Sequence, residues 1–419
     1  MSSLSRNISG IGAALLVLNG LIGAGIFALP AKMATQLGSF SPWVFIIFGL
    51  FMLSIVWCFG KLVAAYPRTG GPVEYANAGF GRAASFQTGF IYYLARVTAI
   101  AANMHVLLLY AGYLWPELNN GVIKGVAIIC ITGLLIWVNV TGLKTAMRSL
   151  NSVSLLKIVP LIALLVFGFL QLEFSAIQQS TIPPLDAISA GALLTLYAFI
   201  GFETVVVTSG ETRSPEKSIP RALLLTVMSI ALFYFLVQWL YWEVVGGQQF
   251  ENAPLVTLAN IVFGKTGGLV MTATAVISVA GNLLANMIST SRLTYAMAVE
   301  KQVPAFLAKV HPTYATPHIS ILILGIVAGL LALSGSFVWL AVASVLARLV
   351  VYAVCILVLM KYQRTHGALL FERCLPVVAL VVCAWSIAQS TTESWLFLVG
   401  EIALGAILWL TWSRLGNKA

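Results

Sequence analysis

Near its N-terminus the chain reads GLIGAGIFALP over residues 20–30. The stretch lies inside an apolar run that is long enough to cross a hydrocarbon layer of about 30 Å. Gly20, Gly23 and Gly25 fall within it, and glycine is a poor helix former. Unwound backbone at membrane depth persists only where it is buried in protein or lines a cavity. The stretch therefore predicts a membrane helix that is interrupted beside an internal cavity.

Composition indicates that most of the chain lies in lipid. Its 419 residues are 60% hydrophobic and 9% charged, which is outside the usual range of soluble domains. Runs such as 46–57 and 319–333 are apolar all round, whereas the strands of a transmembrane barrel alternate apolar and polar residues. We therefore predict an all-α integral membrane protein with twelve transmembrane helices. The predicted spans are 9–35, 41–65, 84–114, 122–141, 151–171, 186–209, 221–245, 266–298, 318–334, 336–360, 374–390 and 395–413.

Charge placement predicts the orientation. The first span is interpreted as a retained helix, because it is too long for a secretory signal and lacks a small-residue cleavage site. Cytoplasmic loops retain Lys and Arg, and with the N-terminus inside most of the 23 basic residues fall on the cytoplasmic side. The pattern predicts a multi-pass protein of the cell inner membrane with both termini cytoplasmic. The net charge of +10 then reflects this bias and contact with membrane lipid, not a nucleic-acid surface.

Residues that carry chemistry are sparse. The five Cys and four His are dispersed, with neither metal-ligand spacing nor a nucleophile beside a base. The sequence therefore predicts no metal, no cofactor and no enzymatic activity. It also lacks a GxxxxGK loop, so transport energy would come from gradients or exchange. A channel is a distant alternative, since no filter sequence or charged ring is present; the oligomeric state, monomer or homodimer, stays open.

A second glycine-interrupted stretch, YAFIGFE, spans residues 197–203. It falls in the sixth predicted span and its counterpart in the first, as a five-plus-five inverted repeat requires. The alternative is that Gly23 and Gly25 simply permit close helix packing. The predicted parts are a first repeat at 1–171, a second repeat at 186–362, and two further helices with a cytoplasmic C-terminus at 371–419.

A broken helix offers opposite partial charges a few ångströms apart, because one half ends in free carbonyls and the next begins with free N–H groups. Such a pair suits a zwitterion. We predict that the N–H groups hold a substrate carboxylate and that the carbonyls accept from its ammonium. The residues assigned to the carboxylate are Ala24, Gly25 and Ile26, those near the ammonium are Leu21, Tyr197 and Ile200, and the remaining predicted substrate-binding residues are Ile22, Gly23, Ala198, Phe199, Gly201 and Phe202.

These stretches resemble the amino acid-polyamine-organocation (APC) superfamily of transporters, which has the LeuT-type fold of ten core helices plus two. The resemblance covers nearly the whole chain. The segments on which the resemblance rests are IGAGIFALP at 22–30, FIGFE at 199–203, ETRSPE at 211–216, IPRA at 219–222, YPRTGGP at 66–72 and SRLTYAMA at 291–298.

The resemblance implies secondary active transport of L-amino acids by alternating access, as symport or antiport. It further implies that the span-one motif binds the substrate carboxylate and that span six supplies amine ligands and an aromatic gate. Tyr197 and Phe199 are the gate candidates. The family often has Ser where this chain has Ala24, so a hydroxyl ligand is missing, and we expect backbone ligation to survive that change.

Charge at the bilayer centre is costly, so each ionisable residue there is a functional hypothesis. By the resemblance, Lys157 matches the lysine that sodium-independent members place where relatives bind sodium. It is predicted to donate to span one near Asn19 and Gly20, and it could carry the coupled proton, because burial disfavours its charged form. The alternative is a permanently charged structural pin. Glu203, directly after the second break, is a candidate either for proton coupling or for accepting hydrogen bonds that hold span six bent.

Arg96 and Arg348 fall inside spans three and ten, where a guanidinium needs carboxylate or carbonyl partners. Either could contact an acidic substrate side chain or belong to a gate, and a structural ion pair or carbonyl clamp is the alternative. Apolar residues around the breaks, with Ala24 small, favour a neutral amino acid of small or medium size. Glu203 leaves a cationic amino acid or polyamine open, and import, export and exchange are not separated.

Overall fold

The computed structural model describes residues 8–142, 144–172, 181–246 and 253–416. Within these ranges the secondary structure is helical, apart from an isolated bridge between Ile8 and Thr212. Residues 1–7 and 417–419, for which the charge pattern predicts a cytoplasmic location, lie outside the described part.

The α-helices follow the predicted spans closely. They are α1 (Gly10–Leu21), α2 (Ala24–Ala28), α3 (Pro30–Leu37), α4 (Ser41–Ala65), α5 (Pro72–Phe80), α6 (Arg82–Ala111), α7 (Gly121–Thr141), α8 (Lys144–Leu170), α9 (Leu185–Tyr197), α10 (Glu203–Val207), α11 (Pro215–Val245), α12 (Pro254–Val299), α13 (His318–Ser334), α14 (Phe337–His366), α15 (Leu370–Ala388) and α16 (Thr392–Gly416). Short 3-10 helices lie at Gly38–Phe40, Pro116–Asn119, Ser209–Glu211 and Ala305–Ala308.

The chain is a multi-pass membrane protein. In the described residues, nine helices are long and apolar enough to cross a bilayer. Shorter apolar helices lie at Lys157–Leu170, Leu185–Tyr197 and His318–Ser334, each inside a predicted span. That all twelve segments cross the bilayer stays a prediction.

The predicted eighth span at 266–298 agrees with the part of α12 that follows Gly264, where φ is 68° and the helix is interrupted. The part before this interruption, which begins at Pro254, was not predicted. Proline suits the first position of a helix, because its missing N–H would be unpaired there in any case. The polar residues Thr257 and Asn260 lower the hydropathy of this first part, which hid it from a search for continuous apolar runs.

Two interrupted segments, α1–α2 and α9–α10, lie at the centre of the molecule. Helices α4 and α11 pack against each other near them, and α6 packs against both α12 and α14. Helices α7, α15 and α16 are peripheral. They keep large apolar side chains exposed, such as Trp137, Leu370 and Leu396, as expected of helices that face lipid.

Candidate functional site

Both breaks are present where the glycines predicted them. Helix α1 ends at Leu21 and α2 begins at Ala24, and Ile22 and Gly23 between them leave helical geometry. In the second segment α9 ends at Tyr197 and α10 begins at Glu203. Gly201, in this second break, has a φ of 114°, a conformation that glycine adopts without steric cost.

The two breaks touch each other through backbone. A Cβ atom at Gly201 would lie 2.7 Å from the carbonyl carbon of Gly20, and one at Gly20 would lie 2.9 Å from that of Gly201. On the next turn, a Cβ atom at Gly25 would lie 2.9 Å from the Cα atom of Ala198. Side chains at these positions would therefore push the two interrupted helices apart.

A cavity of about 30 Å³ lies between the breaks. By this measure about 10–15 Å³ holds one water molecule, so the cavity is small in this conformation and has room for roughly two waters. The lining residues are Gly20, Leu21, Gly23, Ala24, Gly25, Ala99, Asn103, Tyr197, Ile200, Gly201, Asn282, Asn286 and Arg348.

The predicted substrate-binding residues divide into three groups. Those that line the cavity are Leu21, Gly23, Ala24, Gly25, Tyr197, Ile200 and Gly201. Phe199 and Phe202 face other helices, since the Phe199 ring lies 5.8 Å from that of Tyr234 and the Phe202 ring 5.3 Å from that of Phe59. Those that are buried outside the lining are Ile22, Ile26 and Ala198. Of the two gate candidates, Tyr197 reaches the cavity and Phe199 does not.

Tyr197 contacts a residue that lines a second, larger cavity. Its hydroxyl donates to Oδ1 of Asn103 at 2.8 Å, and its ring meets Phe337 edge-on at 5.7 Å between centroids. Phe337 lines a second cavity of about 410 Å³, together with His105, Lys124 and the exposed Lys32. The Tyr197–Phe337 contact therefore joins the linings of the two cavities.

Glu203 ties the second break to α14. Its Oε1 accepts from Nε of Arg348 at 2.9 Å and from the hydroxyl of Tyr352 at 2.5 Å, and its Oε2 accepts from the N–H of Gly201 at 2.7 Å. The side chains of Glu203 and Arg348 are 1% and 3% exposed. Glu203 thus accepts backbone and hydroxyl hydrogen bonds, as expected if it holds the sixth span bent. Arg348, whose partner the sequence did not name, forms an ion pair with it.

Lys157 lies against the first break and is 2% exposed. Its Nζ donates to Oδ1 of Asn19 at 2.6 Å and to the carbonyl of Ile22 at 2.7 Å. The expected neighbour Asn19 is in contact, but the carbonyl belongs to Ile22 and not to Gly20, because the helix ends at Leu21 and frees the next carbonyl. The ammonium thus sits at the C-terminal end of α1, where the helix dipole favours a cation.

The carbonyl of Leu21, which the sequence assigned to the substrate ammonium, already has two donors. It accepts from the hydroxyl of Tyr234 at 2.7 Å and from the N–H of Gly23 at 2.8 Å. Tyr234 belongs to α11, so this carbonyl joins the first break to the surrounding helices.

Arg96 is 4% exposed and, in the described part of the chain, has hydrogen-bond partners but no carboxylate. Nε donates to Thr290 at 2.8 Å and Nη1 to the hydroxyl of Tyr92 at 2.8 Å. Nη2 donates to Oδ1 of Asn286 at 3.0 Å and to the hydroxyl of Ser289. Arg96 does not line the cavity, and Asn286 connects it to the lining.

Three asparagines that sequence reasoning missed form one wall of the cavity: Asn103 on α6 and Asn282 and Asn286 on α12. We call them the amide cluster. Oδ1 of Asn282 accepts from Nδ2 of Asn103 and from Nδ2 of Asn286, each at 2.7 Å. Amide side chains inside an otherwise apolar span are energetically costly and therefore mark functional or hydrogen-bonded positions. That cost, with the spacing of four between Asn282 and Asn286, was the signal that could have found them.

Comparison with known proteins agrees with this architecture. A family model described as amino acid permease matches residues 8–402. The chain is 27% identical to the serine/threonine exchanger SteT of Bacillus subtilis over 336 residues, which covers 76% of this chain and 75% of that protein. It is 24% identical to the D-serine/D-alanine/glycine transporter of Escherichia coli, over 99% of this chain and 95% of the relative. It is also 24% identical to the methylthioribose transporter of Bacillus subtilis, over 98% and 94%.

Proposed function

We propose, from the premise that this chain belongs to the amino acid permease family, that it is a secondary active transporter of L-amino acids working by alternating access. The observation that carries the proposal is the contact of two interrupted helices around a small cavity. Half-helix ends of opposite partial charge meet there, which suits a zwitterion. In secondary transporters, such discontinuous helices surround a mid-membrane site that opens to each side in turn.

The names of the relatives support an amino acid as substrate. One exchanges serine and threonine, and another transports D-serine, D-alanine and glycine; a third transports methylthioribose. We propose a small to medium amino acid, for which the apolar residues at the breaks favour a neutral one. A cationic amino acid or polyamine carrier, or an exporter, is the alternative, and a channel a distant one.

We further propose the LeuT-type arrangement in the cell inner membrane, with twelve spans, the repeats at 1–171 and 186–362, and cytoplasmic termini. Contacts between the loop after the second span and the end of the sixth support their placement on one side of the membrane. The hydroxyl of Ser209 donates to the carbonyl of Arg68 at 2.6 Å, and the N–H of Gly70 donates to that of Val207 at 3.1 Å.

Sodium independence is part of the proposal, and Lys157 supports it. Its ammonium is bound to the carbonyl of Ile22 at the end of α1, where a metal cation would otherwise find its oxygen ligands. Coupling would then come from protons or from exchange. Either Lys157 or Glu203 would carry the proton, and the ion pair of Glu203 with Arg348 favours Lys157.

We predict that Lys157→Ala abolishes the pH dependence of amino acid uptake. Without the ammonium, Asn19 and the Ile22 carbonyl lose their common donor and no proton is released there during the cycle. The measurement is initial uptake into proteoliposomes across a range of external pH. Lys217→Ala is the matched control, because Lys217 is exposed, and it should keep the wild-type profile. An unchanged pH dependence in Lys157→Ala would refute the proton role.

The experiment that tests the proposed function is a thermal-shift screen of the purified protein against amino acids and polyamines, followed by uptake of each hit into proteoliposomes. A ligand that binds only the folded state raises the melting temperature. At a ligand concentration of 100 times Kd, the folded state is stabilised by about 2.7 kcal/mol. We expect hits among small L-amino acids. If neither a shift nor uptake appears with any amino acid or polyamine, the proposed function is wrong.

A further inference from the structure

The orientation of the amide cluster follows from Arg96. A guanidinium can only donate hydrogen bonds, so the atom of Asn286 that faces Arg96 must be its oxygen. The nitrogen of Asn286 then faces Asn282 and requires the oxygen of Asn282 there. The amide nitrogen of Asn282 is thereby turned away from both neighbours.

That nitrogen points into the central cavity beside the first break. A Cβ atom at Gly23 would lie 3.0 Å from Nδ2 of Asn282. Asn282 is 7% exposed, and its Nδ2 has no hydrogen-bond partner among the described residues. Nδ2 is not among the buried side-chain atoms without a partner, so it is accessible from the cavity. A ligand that covers it without offering an acceptor would leave a buried donor unpaired, which is unfavourable.

In the described part of the chain, the charged residues around the cavity include more cations than anions. Arg348 is neutralised by Glu203, and Lys157 lies at the carbonyl end of α1. Arg96 has only neutral oxygen partners. A buried cation without a counter-ion is costly in a membrane interior, and Asn286 alone separates it from Asn282 along the hydrogen-bond chain.

We infer that the substrate is an amino acid whose side chain carries an oxygen acceptor, which Nδ2 of Asn282 recognises, and that a carboxylate is the preferred acceptor. Arg96 acts as a positioning residue, because it fixes the orientation of Asn286 and through it that of Asn282. Its uncompensated charge adds the preference for an anion. This inference rests on the proposed function and narrows its substrate class, away from the apolar side chains that the sequence around the breaks favours.

The test uses L-aspartate, L-asparagine and L-leucine, whose side chains branch at the same atom but differ in polarity. Apparent Kd is measured on the purified full chain by titration and by competition for uptake in proteoliposomes. Leucine should bind weaker than asparagine by roughly tenfold to hundredfold, the usual effect of leaving a buried donor unpaired. Aspartate should bind tighter than asparagine by about threefold to tenfold, because a charged acceptor makes the stronger hydrogen bond. Serine compared with alanine repeats the test for a hydroxyl.

Two variants assign the effect to its residues. Asn282→Leu should remove the preference for asparagine over leucine, while Asn260→Leu, before the interruption of α12 at Gly264 and outside the lining, should keep it. Arg96→Met should remove the preference for aspartate over asparagine, and Arg96→Lys, which retains the charge, should restore it. If a variant does not fold, the wild-type series alone decides.

The outcomes separate this inference from the proposed function. If leucine binds the wild-type protein as tightly as aspartate and asparagine, the inference is overturned and amino acid transport stands. If no amino acid binds or is transported, the proposed function itself has failed.

Discussion

Replacing Arg348 alone by Met should destabilise the protein by about 3–5 kcal/mol and abolish transport, because it leaves a buried carboxylate without its partner. Arg348 joins three elements, since it also donates to the carbonyl of Ala95 on α6 at 2.8 Å. Replacing both partners, as Glu203→Gln with Arg348→Met, should recover a substantial part of that stability, because no lone charge then remains buried. Thermal unfolding with a thiol-reactive dye measures the effect, through exposure of buried cysteines such as Cys58 and Cys355.

Arg82→Met is the matched control, because Arg82 is exposed at the start of α6, and it should leave the melting temperature nearly unchanged. If the double variant is less stable than both single variants, the two charges are not coupled as the 2.9 Å ion pair requires. Glu203→Gln also bears on coupling, since it keeps the shape of the side chain. Near-normal transport by that variant would show that Glu203 need not be protonated during the cycle.

Gly201→Ala should reduce transport at least about tenfold. At a φ of 114° a residue with a Cβ atom is strained by roughly 1–3 kcal/mol, and its Cβ atom would meet the backbone of Gly20 at 2.7 Å. The two breaks must then separate, which deforms the cavity between them. A difference of 1.4 kcal/mol corresponds to about a tenfold change in an equilibrium, so the strain alone is of that size. Initial uptake, normalised to folded protein, measures it.

Gly133→Ala is the control for this substitution. Gly133 lies within α7, and a Cβ atom there meets nothing within 4 Å. Alanine should be neutral or stabilise the helix by about 0.5–1 kcal/mol. Wild-type transport by Gly201→Ala would mean that the close approach of the two breaks has no role in the cycle.

The breaks were predictable from sequence because their cause is local. Glycines in an apolar run weaken the helix at that point wherever the rest of the chain lies, and both breaks occur where Gly23 and Gly201 indicated. Long apolar runs likewise located the membrane helices. The beginning of α12 and the short helix α5 were missed, because neither is a continuous apolar run.

Partners that are distant in the chain were not predictable. Arg96 meets Thr290, and Glu203 meets Arg348, and these pairs depend on how far each helix is rotated and shifted against its neighbours. The direction of a side chain inside a helix break also depends on how the helices are arranged in space. Tyr197 and Phe199 are equally aromatic in the sequence, yet the turn between them sends Tyr197 to the cavity and Phe199 to Tyr234. The amide cluster also brings α6 and α12 together, so only its α12 half had a pattern in the sequence.

The most direct test of two helix breaks forming the binding site is an electron cryomicroscopy structure with the amino acid that gives the largest thermal shift. We predict density between Gly20–Gly25 and Tyr197–Gly201, with the ligand carboxylate at the N–H groups of Ala24 and Gly25, and a cavity larger than its present volume of about 30 Å³. Ligand density elsewhere, with the two breaks still in contact and the space between them unfilled, would contradict it.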